Sequence, residues 1–249
     1  MFTVAITGKS GSGKSLLAKH LETKLANCKV IHADKSKLPI VYRVLKDRPL
    51  LKYQWNDPKA LDDTLVLLSD KHAYEVVMQY ADPIVGQEIQ QQVDEARAEG
   101  KDYAIVDYCE FHRMAKFFEQ ADRRICVAPL TDNPAAFWQW EEGLYSNKVR
   151  HKLLKSRHSE QGRIVASDEL YEVRDNALEF RYDFVEQFPH INVVNVHSEP
   201  DKMERYAQCI ANYYNDGDWN HVSEECLRSW RHLFDEKSLP IGGIKPEPL

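Results

Sequence analysis

Eight consecutive residues near the N-terminus, Gly8-Lys9-Ser10-Gly11-Ser12-Gly13-Lys14-Ser15, satisfy the spacing GxxxxGK[ST]. The chemistry such a string supports is the binding of phosphate. Glycines let successive backbone N–H groups turn inward around phosphate oxygens, and a helix starting at the end of the loop adds the positive end of its dipole. Lys14 would meet the β and γ phosphates of a nucleoside triphosphate, and Ser15 would place its hydroxyl on Mg²⁺. The expected nucleotide-contacting set is Gly8, Ser10, Gly11, Ser12, Gly13, Lys14, Ser15 and Leu16, with ATP and Mg²⁺ implied as cofactors. A glycine-serine turn that merely caps a helix is the plainer alternative.

Carboxylates and cations elsewhere suit the same chemistry. Asp34 follows the apolar run KVIHA, where a carboxylate could accept the proton of an attacking hydroxyl; a helix cap or a surface aspartate is the bland alternative. Asp107 closes the run YAIV, an arrangement that suits a carboxylate reaching Mg²⁺ through water or touching substrate, and Glu110 follows close behind. His112 and Arg113 are further substrate-side candidates, with a structural histidine as the alternative. Arg150, Lys152, Lys155 and Arg157 place four cations in one short stretch. Converging on a transferring phosphoryl group, they would stabilise charge on its oxygens, Arg150 and Arg157 in a catalytic role; otherwise they form a solvated helix face.

These residues need a scaffold that brings strand ends together. Phe2 to Thr7 reads as a strand, and beyond Gly13 the apolar residues Leu16, Leu17, Ala18, Leu21 and Leu25 take up helical spacing. Lys29 to Ala33, Tyr103 to Val106, Arg124 to Ala128 and Ile191 to Val196 read as further strands, the fourth of the series ending before Pro129. The stretch from about Asp57 to Gly100 reads as mostly helical and broken at Pro83, and a last helix is expected from about Pro200 to Tyr214. Strands alternating with helices imply a parallel sheet, so the expected fold is α/β, a three-layer P-loop architecture with the sheet flanked by helices. One kinase-like domain over 1–214 would carry a helical acceptor region at about 50–100 and a lid at about 143–163, with an appendage at 215–249.

Composition narrows the function classes. The 249 residues carry a formal net charge of -6, which gives no global attraction for nucleic acid or anionic membrane, although a local basic patch is compatible with it. The N-terminus lacks the basic and long apolar regions of a signal peptide, and no apolar run is long enough to span a bilayer, so a cytoplasmic location is expected. The five cysteines are scattered without a CxxC pair, which reads as free thiols rather than as a disulfide framework or a zinc site. Trp138 and Trp140, two apart in sequence, read as packing residues rather than as base-stacking platforms.

The motifs together resemble the dephospho-coenzyme A kinase family. VAITGKSGSGKSLLA is similar to that family's opening strand and loop, and VIHADK to its second-strand motif, with Asp34 on the carboxylate near the acceptor hydroxyl. LDDTLVLLSDKHAYEVVMQYADPIV resembles its substrate-region helices, with Asp82-Pro83 in place of a His-Pro pair. AIVDYCEF stands in the place of the strand and loop that hold substrate, and GRIVAS resembles a later segment that would put Arg163 near the nucleotide. The departures fall on the acceptor side: His32 replaces the first carboxylate of Asp-Ala-Asp, and the loop after Asp107 reads YCEFHRM. The resemblance implies transfer of the γ-phosphate of ATP to a hydroxyl of a small, nucleotide-like acceptor. The alternatives are a nucleoside or nucleotide kinase, including a viral-type kinase for a modified pyrimidine free or in DNA, and a non-enzymatic switch controlled by ATP.

Overall fold

A computed structural model describes residues 1–47, 71–131, 151–157, 159–160, 181–185, 187–188, 190–196 and 201–216. Among these lie five strands, β1 (Phe2–Thr7), β2 (Cys28–His32), β3 (Tyr103–Asp107), β4 (Arg123–Thr131) and β5 (Ile191–Val196). They form one parallel sheet in the order β2-β3-β1-β4-β5. The helices are α1 (Lys14–Lys24), α2 (Ala33–Asp47), α3 (Lys71–Ala98), α4 (Ala115–Gln120), α5 (residues 151–157), α6 (Tyr182–Val185) and α7 (Lys202–Asp216), with a 3₁₀ turn at Phe111–Met114. The arrangement is the three-layer α/β fold expected of a P-loop protein.

Strand alternation divides the core in two. Val4, Ile6, Ile105, Ile125 and Ile191 face one side, where α1 and α7 cover them through Leu17, Leu21, Tyr206 and Ile210. Ala5, Ile31, Ala104 and Val106 face the other, under α2 and α3. Parallel strands buried on both faces read as unbroken apolar runs, which is why β1 and β3 stand out in the sequence. Truncating one of these fully buried isoleucines to alanine would cost about 2–5 kcal/mol.

Connections that leave to opposite faces open the crevice that positions a ligand. The chain after β1 enters α1 on one face, whereas the chain after the neighbouring β3 enters the turn Phe111–Met114 and α4 on the other. Adjacent strands whose continuations diverge leave a gap at their carboxyl ends, where parallel α/β sheets take ligands.

Three expectations are corrected. Helix α3 runs unbroken through Pro83, and α2 carries Pro39 in its interior. Both prolines are exposed, as are Lys35 and Gln79 four residues before them, so water can reach the carbonyls they free. The apolar stripe Val77, Met78, Ala81, Val85, Ile89 and Val93 carries α3 across its proline. Strand β4 continues past Pro129 to Thr131, with a register shift against β5 between Ala128 and Thr131. Cys28, Cys109 and Cys126 are free thiols, but Cys209 is disulfide-bonded, a pairing that no spacing motif announces. Among the described residues no helix is long and apolar enough to cross a membrane. Trp138, Trp140 and the appendage from 217 onward lie outside the described residues.

Candidate functional site

The loop between β1 and α1 is built from backbone. Gly8, Gly11 and Gly13 have φ of 141°, 79° and 103°, all in the region that side chains disfavour. At Gly8 the need is also steric: a Cβ there would sit 2.2 Å from the Val127 carbonyl oxygen and 2.9 Å from Ser12 Oγ. The Ser12 N–H donates to the Lys9 carbonyl at 3.1 Å, closing the loop on itself. Gly13 caps α1 without any side-chain hydrogen bond, so the first amides of the helix are not satisfied by a capping side chain.

Lys14 folds back over this loop. Its ammonium donates to the Lys9 carbonyl at 3.1 Å, and the residue is only 5% exposed. Among the described residues no carboxylate pairs with it. A nearly buried cation resting on a carbonyl, beside amides at a helix N-terminus, is complementary to an anion. Ser15 follows in the first turn of α1, and Leu16 is exposed at the surface. A loop whose glycines leave no room for a side chain at Gly8, and a lysine with no carboxylate partner among the described residues, fit the polyphosphate of a nucleotide, and Ser15 is the residue that would hold Mg²⁺.

Across the crevice β2 and β3 end side by side, with His32 opposite Asp107 and Ile6 of β1 next in line. His32 Nδ1 lies 2.9 Å and 3.0 Å from the two Asp107 carboxylate oxygens. The carboxylate is therefore held by the imidazole, an engagement invisible to a reading that weighed Asp107 only against metal or substrate. Asp34 sits in the first turn of α2 rather than at a strand end; it is exposed and accepts a hydrogen bond from Cys109 Sγ at 3.4 Å.

Glu110 and Arg113 take a different place from the one expected. Glu110 is fully buried, with Lys37, Tyr74 and Tyr108 all bonded to its carboxylate. Lys37 also donates to the Tyr74 hydroxyl at 2.9 Å. Arg113 makes a two-pronged pair with Glu75 at 2.7 Å and 3.1 Å and approaches Asp82 at 3.5 Å. These groups tie α2, α3 and the segment after β3 together, so the buried Glu110 offers no open substrate contact, whereas Arg113 also lines an open cleft. Burial alone would lower the Lys37 ammonium, but Glu110 and Tyr74 outweigh it and hold the group well above the usual lysine range. Burial, reinforced by Glu110, pushes the Tyr74 and Tyr108 phenols up, so both stay neutral. Burial lifts Asp82 to about 6 against the pull of Arg113, and burial lowers His112 to about 4.

The segment expected to form a lid is described only at residues 151–157 and 159–160. Arg150 and Arg163 lie outside the described residues. Helix α5 is anchored by His151 and Leu154, both buried, while Lys152 and Arg157 are exposed. A cleft of about 500 Å³ opens between α3 and the segment after β3, lined by Asp82, Pro83, Gly86, Arg113, Met114 and Phe117 among others. No residue of the glycine loop lines it, so the cleft is distinct from that loop.

No protein-family model and no curated protein matches the chain. One solved structure that it resembles is TT1252 from Thermus thermophilus, with a TM-score of 0.53 and 15% sequence identity, the match covering 85% of this chain and 97% of that one. At that identity the likeness establishes the α/β fold and says nothing of chemistry.

Proposed function

We propose that this chain is an ATP-dependent phosphotransferase that moves the γ-phosphate of ATP to a hydroxyl of a small, nucleotide-like acceptor, with a dephospho-coenzyme A-like compound favoured. The observation that carries the reading is the glycine loop, whose three left-handed glycines, helix start without a side-chain cap, and Lys14, paired with no carboxylate among the described residues, suit a polyphosphate. Bound Mg–ATP would supply the phosphoryl group. Lys14 would neutralise its β and γ oxygens, Ser15 would hold Mg²⁺, and Lys152 and Arg157, exposed on α5, would cover it. Asp107 is read as the partner of His32 rather than as a metal ligand. Asp34, exposed on the acceptor side, would orient the acceptor by accepting a hydrogen bond.

The test combines binding of Mg–ATP with a transfer scan of labelled γ-phosphate over dephospho-coenzyme A, nucleosides, nucleotides and DNA bearing modified pyrimidines. Transfer to the first is expected. Transfer only to a pyrimidine acceptor would select the nucleoside-kinase alternative, and ATP binding without any transfer would leave a switch protein.

A further inference from the structure

We propose that His32 takes the proton from the acceptor hydroxyl, with Asp107 as the residue that positions it; the assignment rests on the phosphotransfer reading above. Strand alternation places the pair on the α1 side of the sheet, because Val30, two residues before His32, and Ile105, two before Asp107, both pack in the α1 core. Ile6, opposite Asp107 on β1, immediately precedes Thr7 and the glycine loop. With strands about 4.8 Å apart, His32 stands on the order of 10 Å from the strand that carries the cradle, room for a phosphoryl group and an attacking oxygen between them.

Hydrogen bonding fixes what the ring presents. An ionised carboxylate can only accept, so Nδ1, 2.9 Å and 3.0 Å from its two oxygens, must be the donor. An imidazole that donates from Nδ1 in its neutral form carries its free lone pair on Nε2, the atom able to accept a hydrogen bond or a proton. Exposure agrees: the Asp107 side chain is 4% exposed and that of His32 is 29%. A sealed carboxylate behind a half-open imidazole is the arrangement by which hydrolytic triads orient a general base. Charged groups on the neighbouring elements are Asp107 on β3, Asp34 in the first turn of α2 and Lys14 at the start of α1. Of the two acceptor-side candidates, Asp34 and His32, only the imidazole has a buried carboxylate bonded to it that fixes its orientation.

In the step so assigned, the acceptor O–H proton passes to His32 Nε2 as the acceptor oxygen bonds to the γ phosphorus. The bond from that phosphorus to the bridging β–γ oxygen breaks, its electron pair leaves with ADP, and the imidazolium afterwards returns its proton to water.

The experiment measures the His32 tautomer by nitrogen NMR at neutral pH and γ-phosphate transfer from labelled Mg–ATP, both to water and to the acceptor panel. It uses the full chain, His32→Asn and Asp107→Asn. Asparagine keeps a donor where Nδ1 stands, so the bond to Asp107 survives while Nε2 is lost. A wild-type ring protonated at Nδ1 and bare at Nε2 is expected, with transfer reduced about 100-fold or more in His32→Asn and binding of a fluorescent ATP analogue unchanged. Asp107→Asn should move the ring proton toward Nε2 and slow transfer at least about tenfold. The assignment is overturned by a wild-type ring protonated at Nε2, by His32→Asn transferring at the wild-type rate, or by Asp107→Asn altering only the Mg²⁺ requirement. If the wild type binds ATP yet transfers to neither water nor any acceptor, the phosphotransfer reading falls and takes this one with it. Wild-type transfer preserved in His32→Asn removes this assignment alone. The tautomer is read from the wild type, so the test survives a variant that fails to fold.

Discussion

The two sides of the crevice are made from different materials. On the side of the glycine loop the main chain shapes the structure: three glycines hold left-handed conformations, and one lysine folds back onto a loop carbonyl. On the side of α2 and α3, the proposed acceptor side, charged and phenolic side chains from these helices and the segment after β3 converge on a buried carboxylate, Glu110. A main-chain site is encoded in a contiguous string, because each glycine is needed at a fixed step of the loop. A side-chain site is assembled from Lys37, Tyr74 and the segment that carries Tyr108, Glu110 and Arg113, three stretches far apart in sequence that meet only when α2 and α3 dock.

That contrast breaks most sharply at the loop. Gly8→Ala should abolish ATP binding measured by calorimetry, since its Cβ would lie 2.2 Å from the Val127 carbonyl oxygen at a φ of 141°. Lys14→Ala should leave the melting temperature near wild type but lower transfer about 100-fold or more, because a charge-assisted contact to the transition state is lost. Near-normal transfer in that variant would remove the loop from the mechanism.

On the acceptor side the expected injury is to folding. Glu110→Gln strands the Lys37 ammonium in the interior with a neutral partner, which should cost about 3–5 kcal/mol in denaturant unfolding. Removing both charges, with Lys37→Met added, should recover part of that loss, as coupling between direct partners requires. A Glu110→Gln protein of normal stability that has lost only acceptor affinity would restore Glu110 as a substrate ligand. Asp34→Asn should act more mildly, raising the acceptor KM roughly tenfold, the scale of one hydrogen bond to a charged group, while ATP affinity holds.

The same division explains what the sequence made legible. Strands β1, β3 and β5 and the loop from Gly8 to Ser15 could be read because each is local: an apolar run, or a glycine pattern with one physical purpose. Helix α2 was hidden by Pro39, and the continuity of α3 by Pro83, because what rescues a helical proline is its exposure and the packing of the opposite stripe. Asp107 was found as a strand-end carboxylate, but its partner could not be. The pairing of His32 with Asp107 depends on β2 lying beside β3 in register. Glu110 and Arg113 were singled out for their charge near a strand end, yet only tertiary structure reveals that their charge is spent on Lys37, Tyr74, Glu75 and Asp82.

The smallest expected effect tests whether the acceptor side holds its strain in balance. Burial raises Asp82 from 3.8 to about 6 and lowers His112 from 6.5 to about 4, so the two depart from their unfolded values in opposite directions over nearly the same pH window. For Asp82 the folded state holds the proton more tightly than the unfolded state, so its contribution to stability falls as pH rises from about 4 to 6. For His112 the unfolded state binds the proton first, so its contribution falls as pH drops from about 6.5 to 4. The slopes oppose each other, and the contribution of this pair to stability should be nearly flat across the window. Each single variant should expose the other group. Relative to wild type, Asp82→Asn should lose stability as the medium is acidified through this range, and His112→Gln should gain it, in melting temperatures measured on the same buffer series. Parallel profiles for all three proteins would mean that neither group changes its proton affinity on folding, and the acceptor side would then be held by the Glu110 cluster without this compensating pair.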